Sequence, residues 1–236
     1  MRFQDAAQDA RAVTYAAIQA EPVVAQAAGL LADASFAQRL LARAVMNGET
    51  LDADGWRAMF PTLFGPAVEP SDRERSEAIL TVALAIADRG DQTRNQLRGA
   101  LVESLTVELL ARRVGVEDVR RERRVLFDGV RAEIHPYDVT VERSGTAEAY
   151  DCKWGARGIN ADVLHQLEDA RANAEAEGEV LRVALVVFDA ELSCRVRLER
   201  QTAPHDQTRL VALETLESLS RADGTAGTGE PATKPF

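Results

Sequence analysis

The chain has 236 residues, 46% hydrophobic and 28% charged, the balance of an ordinary globular protein long enough to bury a sizeable core. A formal net charge of −10 argues against a protein that coats nucleic acid indiscriminately, though net charge says little about any one face. The absence of any 18-residue apolar run, the polar start MRFQDAAQDARAV and the lack of a disulfide or zinc spacing around Cys152 and Cys194 predict a cytoplasmic protein without a membrane span or secretory signal.

Residues 1 to about 89 read as helix throughout, and no motif in this region carries chemistry. Apolar residues recur at three-to-four spacing in 5–20, 23–34 and 35–48, with Gly48 as a stop signal. An irregular stretch rich in Pro and Gly (54–66) leads to a further helix over 71–90, for which Ser71 and Glu74 have capping-box spacing.

The texture changes near Asp91. An amphipathic helix over 95–115 ends at Gly115. VRRERRVLF, VRAEIHPYDVTVE and AEAYDCKW follow as three strands, separated by the hairpin signals Asp128-Gly129 and Ser144-Gly145. A helix over 161–177, with Asn160 to cap it, precedes VLRVALVVFDA (180–190), an apolar run expected to be buried on both faces. The segment from Cys194 to Leu219 should add a strand and a short helix, and the polar, Gly- and Pro-rich stretch 221–236 reads as a disordered tail. Three regions result: helical 1–89, an α/β unit over 90–220, and the tail.

YDCKW (150–154) holds one of two lysines, Lys153 and Lys234, in a chain whose other basic residues are all arginine. On a strand, Asp151 and Lys153 share one face while Tyr150, Cys152 and Trp154 share the other, which reads as the core face. A turn at Ser144-Gly145 makes every paired position sum to 289, so Asp138 comes to lie opposite Asp151 with β-carbons about 5 Å apart. Opposed like charges destabilise a sheet unless compensated, and a divalent cation such as Mg²⁺, which favours carboxylate oxygens, would compensate them. Glu103 offers a third acid: its neighbours one turn away are Gly99, Ala100, Thr106 and Val107, so its side of the helix should pack on the sheet. Glu108 should reach solvent beside Arg112.

These residues resemble the PD-(D/E)xK nuclease superfamily. The likeness rests on Gly99 to Glu103, on Pro136-Tyr137-Asp138, on Asp151-Cys152-Lys153 and on Gln166, and it covers roughly residues 91–190. It implies a restriction-endonuclease-like core, in the order helix, three-strand antiparallel meander, helix, strand, within a mixed sheet that carries an all-helical N-terminal extension. Glu103, Asp138 and Asp151, with the backbone carbonyl of Cys152, would hold Mg²⁺ or Mn²⁺. Lys153 would stand beside the attacking water, and Gln166 would be the glutamine found in some branches. Tyr137 departs from the pattern by separating Pro136 from Asp138. By the same likeness the substrate is nucleic acid, DNA before RNA, and restriction, phage defence or repair is the setting. A homodimer, or a protein partner docked on residues 1–89, would be in keeping.

The residue types suit the chemistry. Hydrolysis of a phosphodiester needs charge stabilisation at phosphorus and a hydroxide near neutral pH, and a bound metal supplies both. Lysine can assist the water if its pKa falls, which arginine, charged up to a pKa above ~12, cannot do.

Blander readings stand beside these. An acid-x-Lys triplet arises by chance about 0.3 times in such a composition, and Lys153 could simply bridge two aspartates. Gln166 could be a surface amide, and His135 and His165 read as surface or packing residues. The run Arg112, Arg113, Arg120, Arg121, Arg123 and Arg124 could contact phosphates or be the solvated face of an edge strand. A catalytically silent member that binds nucleic acid or protein is the main alternative.

Overall fold

A computed structural model describes residues 1–6, 10–48, 51–128, 135–143 and 146–221. The predicted tail beyond Arg221, the Ser144-Gly145 turn and Gly129 of the first hairpin signal lie outside them. The chain is an α/β protein with a mixed sheet of six strands in sequential order: β1 (Arg2–Asp5), β2 (Val119–Leu126), β3 (Tyr137–Arg143), β4 (Thr146–Lys153), β5 (Leu181–Val187) and β6 (Arg209–Val211). The first four pair antiparallel, whereas β5 and β6 run parallel to β4. Nine helices are present among the described residues: α1 (Ala10–Gln19), α2 (Pro22–Ala32), α3 (Phe36–Met46), α4 (Ala53–Met59), α5 (Pro61–Phe64), α6 (Pro70–Ala87), α7 (Asp91–Val114), α8 (Ala161–Ala176) and α9 (Glu191–Leu198).

Four sequence expectations need correcting. The stretch 54–66, expected to be irregular, carries α4 and α5. Residues 1–89 are not all helical, because β1 forms the sheet edge along β2 with Phe3 opposite Val125. Four residues with a single aromatic carry no readable alternation, so only the partner strand makes them a strand. The helix at 70–87 is not capped by Ser71: Pro70 occupies its first turn after Glu69, with no side-chain cap bond. A capping box does occur at Ser35, whose hydroxyl accepts from Gln38 N–H while the Gln38 side chain accepts from Ser35 N–H. Finally, the Asp151 face of β4 is a second core face, with Ala147 and Ala149 packed among Leu164, Leu167 and Leu185.

Helices lie on both sides of the sheet. α7, 24 residues and about 36 Å long, packs through Leu101, Leu105 and Leu109 in one hydrophobic cluster with Val139, Val141, Tyr150 and Cys152. The same cluster continues into Val24, Leu31, Leu41, Val45, Trp56, Leu80 and Ile86, so the N-terminal helices and the sheet share a continuous core. α8 covers the opposite face, capped by Asn160, which accepts from Val163 N–H at 3.0 Å. α7 stops at Gly115, whose φ of +97° an L-residue adopts only with strain. β5 is buried along almost its whole length except at Arg182, as its near-continuous apolar run leads one to expect.

Candidate active site

The β3–β4 hairpin has the anticipated register: Val139 pairs with Tyr150, Thr140 with Ala149 and Val141 with Glu148. The ladder stops there, and the next position, Asp138 opposite Asp151, is an opening between the strands. Asp138 fills it by accepting the Cys152 N–H on Oδ2 at 2.6 Å. The N–H and C=O of one strand residue point to the same edge, so the Cys152 carbonyl faces the same opening.

Four elements, α7, β2, β3 and β4, deliver acids to this place. Glu103 projects from α7 and is buried, its oxygens accepting from Tyr15 Oη and from Gln19 Nε2, the latter at 2.6 Å. Glu122 comes from β2, in the left-handed region at φ 52°, rare for a residue other than glycine. One carboxylate oxygen from each of Glu103, Glu122 and Asp138 lies within 4.8 Å of the others. Asp151 is buried on β4 and ion-paired with Lys153. Gly158 leaves the room that the lysine needs, since a β-carbon there would meet Lys153 Cδ at 3.0 Å.

Electrostatics bind these groups into one site. Burial, reinforced by Asp151 and Glu103, raises Asp138 well above the usual carboxylate range; Lys153 and the Cys152 N–H only partly offset this. Burial likewise pushes Glu103 up to about 7, against the hydrogen bonds from Tyr15 and Gln19. Glu122 is raised by burial and eased by Arg121. The lysine behaves opposite to expectation. Burial pulls it down, yet Asp151 and Asp138 outweigh burial and hold it above its ordinary value. The buried carboxylates of Glu103, Glu122, Asp138 and Asp151 thus meet Lys153 and Arg121 as their main nearby cations, an excess of negative charge in a low-dielectric opening. An all-oxygen donor set with that excess suits a hard divalent cation.

Glu103, Asp138, Asp151 and Lys153 are therefore brought together. Gln166 is not part of the same contacts: its side-chain amide donates to the His135 backbone carbonyl at 3.0 Å, and its backbone carbonyl accepts from Tyr137 Oη at 3.1 Å. It anchors the start of β3. His135 and His165 are exposed, and Cys152 is buried with Sγ 3.5 Å from Thr106 Oγ1. The arginine run is largely absorbed within the fold. β2 is not an edge, because β1 covers it. Arg123 is clamped by Asp5 and Glu142 (2.7 Å to the latter), and Arg121 reaches Ser104 Oγ at 3.2 Å. Arg113 is buried against Glu148, and Arg112 pairs with Asp33 and Glu108. Arg120 remains exposed, bonding the Val119 carbonyl, and Arg124 is half-buried.

Glu122, Tyr15 and Gln19 were not singled out in the sequence. Glu122 is the lone acid within RRERR, but the β2–β3 connection is no two-residue turn, so nothing in the sequence sets the register that places it beside Asp138. Tyr15 and Gln19 lie on a helix that only the tertiary fold brings to α7.

No protein-family model matches the chain, and no curated protein matches it. Among solved structures, the chain is similar to protein VC1899 from Vibrio cholerae, with 18% identity, a TM-score of 0.46 and coverage of 93% of this chain. It spans only 56% of that protein's length. No helix of the described residues is long and apolar enough to cross a membrane.

Proposed function

We propose that the chain is a divalent-metal-dependent nuclease of the PD-(D/E)xK type, with a restriction-endonuclease-like core over residues 90–220 and DNA as its preferred substrate. The observation that carries this reading is the meeting of Glu103, Asp138, Asp151 and Lys153, drawn from one helix and two strands, around an opening in the β3–β4 ladder. Asp138, Asp151, Glu103 and the Cys152 carbonyl would hold Mg²⁺ or Mn²⁺, and Glu122 is a further acid within reach. Bound there, the metal would polarise the phosphoryl oxygen and acidify water.

The chain's own residues do the rest. Asp138 and Asp151 fix the place of the scissile phosphate at the end of the ladder. With their charge compensated, burial acts on Lys153 unopposed and lowers its pKa, so that its amine can hold or accept a proton from the attacking water. Gln166 and Tyr137 hold the β3 entry in place.

The test is incubation with plasmid, linear and single-stranded DNA and structured RNA, in Mg²⁺, Mn²⁺ or EDTA. Cleavage should need metal and vanish in Asp151→Asn and Lys153→Ala. Cutting that survives both substitutions, or no cutting alongside no metal uptake by calorimetry, defeats the proposal. One observation favours a silent nucleic-acid-binding protein instead: Tyr15 and Gln19 already satisfy both oxygens of Glu103. Metal uptake without cleavage of any substrate would support that reading. A cytoplasmic setting in restriction, phage defence or repair, and a homodimer or partner docked on residues 1–89, belong to the same proposal by likeness only.

A further inference from the structure

Beside Lys153 lies a cleft of about 590 Å³ between the end of α3, the first turns of α7 and the turn after β4. Arg43, Arg98, Lys153 and Arg157 line it, with Asp189 as their one acidic companion among the lining residues. In a chain of net charge −10, four cations around one opening run against the average. Composition does not require it.

The cations differ in how far the fold uses them. Arg43 pairs with Asp189, and Lys153 with Asp151. Arg98 hydrogen-bonds neutral groups, the Met46 carbonyl at 3.0 Å and the Asn95 side chain, and sits 5.4 Å from the Trp154 ring centre. Arg157 is exposed and makes no hydrogen bond or ion pair among the described residues. Trp154 supports the wall: it stacks on Phe188 at 5.1 Å, and its Nε1 donates to Asn47 Oδ1 at 3.1 Å. Burial chiefly, then the neighbouring Arg94 and Arg43, pushes Arg98 below its ordinary pKa, against the opposing pull of Asp91.

We propose that this cleft is the track for the polynucleotide backbone next to the scissile bond, with Arg157 and Arg98 contacting phosphates and α3 of the N-terminal helical region supplying its far wall through Arg43 and Asn47. Residues 1–89 thereby take part in substrate binding. The sequence instead pointed to Arg120, Arg121, Arg123 and Arg124, of which Arg123 is clamped by two acids. The proposal rests on the nuclease reading for the nature of the polymer. The charge and shape of the cleft do not depend on that reading.

The test uses the full chain in Ca²⁺, titrated into fluorescein-labelled single- and double-stranded DNA and the matching RNA, with anisotropy followed across salt concentrations. Arg157→Glu should weaken binding about tenfold or more and lower the slope of log affinity against log salt by about one. Arg157→Lys should keep most of the affinity. Arg75→Glu, near the opposite end of α7, should bind as wild type. Melting temperature and Mn²⁺ uptake serve as checks that each variant is folded. Wild-type affinity in Arg157→Glu, or a loss matched by Arg75→Glu, overturns the cleft, as does a wild-type chain that binds none of the probes. Hydrolysis of bis(p-nitrophenyl) phosphate by the wild type tests the nuclease reading apart from the cleft. Oligonucleotide binding that depends on Arg157 would uphold the cleft even if that hydrolysis were absent.

Discussion

Glu103→Gln separates an acid held for a metal from one held for the fold. Glu103 is buried and its carboxyl stands at about 7, against 4.5 ordinarily. The folded chain therefore binds this proton more tightly than the unfolded chain, so the metal-free protein loses stability as pH rises from 4.5 to 7. At about 1.4 kcal/mol per pH unit, the loss is about 3 kcal/mol at pH 8 and about 1 kcal/mol at pH 5. Glutamine cannot ionise and escapes the loss, and its oxygen can still accept from Tyr15 while Gln19 turns its amide. In EDTA the variant should gain on wild type by roughly 2 kcal/mol more at pH 8 than at pH 5, read from urea midpoints at constant m. Metal should close most of that gap at pH 8. Wild type gains about 2.7 kcal/mol at a hundredfold excess over Kd, and the variant gains much less. A variant equally less stable at both pH values in EDTA would show Glu103 to be a structural acid secured by Tyr15 and Gln19, and the reasoning would fail.

Other substitutions probe the neighbouring residues. Lys153→Arg keeps the charge but not an amine whose pKa can fall, so kcat should drop by about 10² or more while the melting temperature holds. Gly158→Ala puts a methyl 3.0–3.1 Å from three Lys153 carbons, so activity should fall well beyond any change in the urea midpoint; unaltered kcat would mean that the lysine has room to move. Glu148→Ala strands Arg113 beside Tyr150 in the core and should cost about 3–5 kcal/mol of stability, measured by denaturant unfolding.

Much of the α/β unit was legible because its cues are local. Gly115 ends α7, Asn160 caps α8, the apolar run 181–187 marks a strand covered on both sides, and one turn sets a register that puts Asp138 across from Asp151. The acid-x-Lys triplet stood out because lysine is nearly absent elsewhere. The face of Asp151 was less legible. Alternation separated it from Tyr150 and Cys152 but could not show that α8 buries the second face too, since Ala147 and Ala149 are small enough to fit under a helix without signalling a core.

Periodicity, caps and turn spacing act over a few residues, so the primary order alone marked the longer helices α2, α3, α6, α7 and α8 and the β3–β4 register that sets Asp138 across from Asp151. Contacts between distant segments have no such local record. Arg2–Asp5 becomes a strand only because β2 offers it an edge, and Glu122 joins the acids only through a register set by a long connection. Tyr15 and Gln19 reach Glu103 only when α1 docks on α7. Folding likewise assigned the arginines, consuming Arg113 and Arg123 in ion pairs and leaving Arg157 exposed beside the lysine, because an arginine's role depends on whether an acid comes within reach.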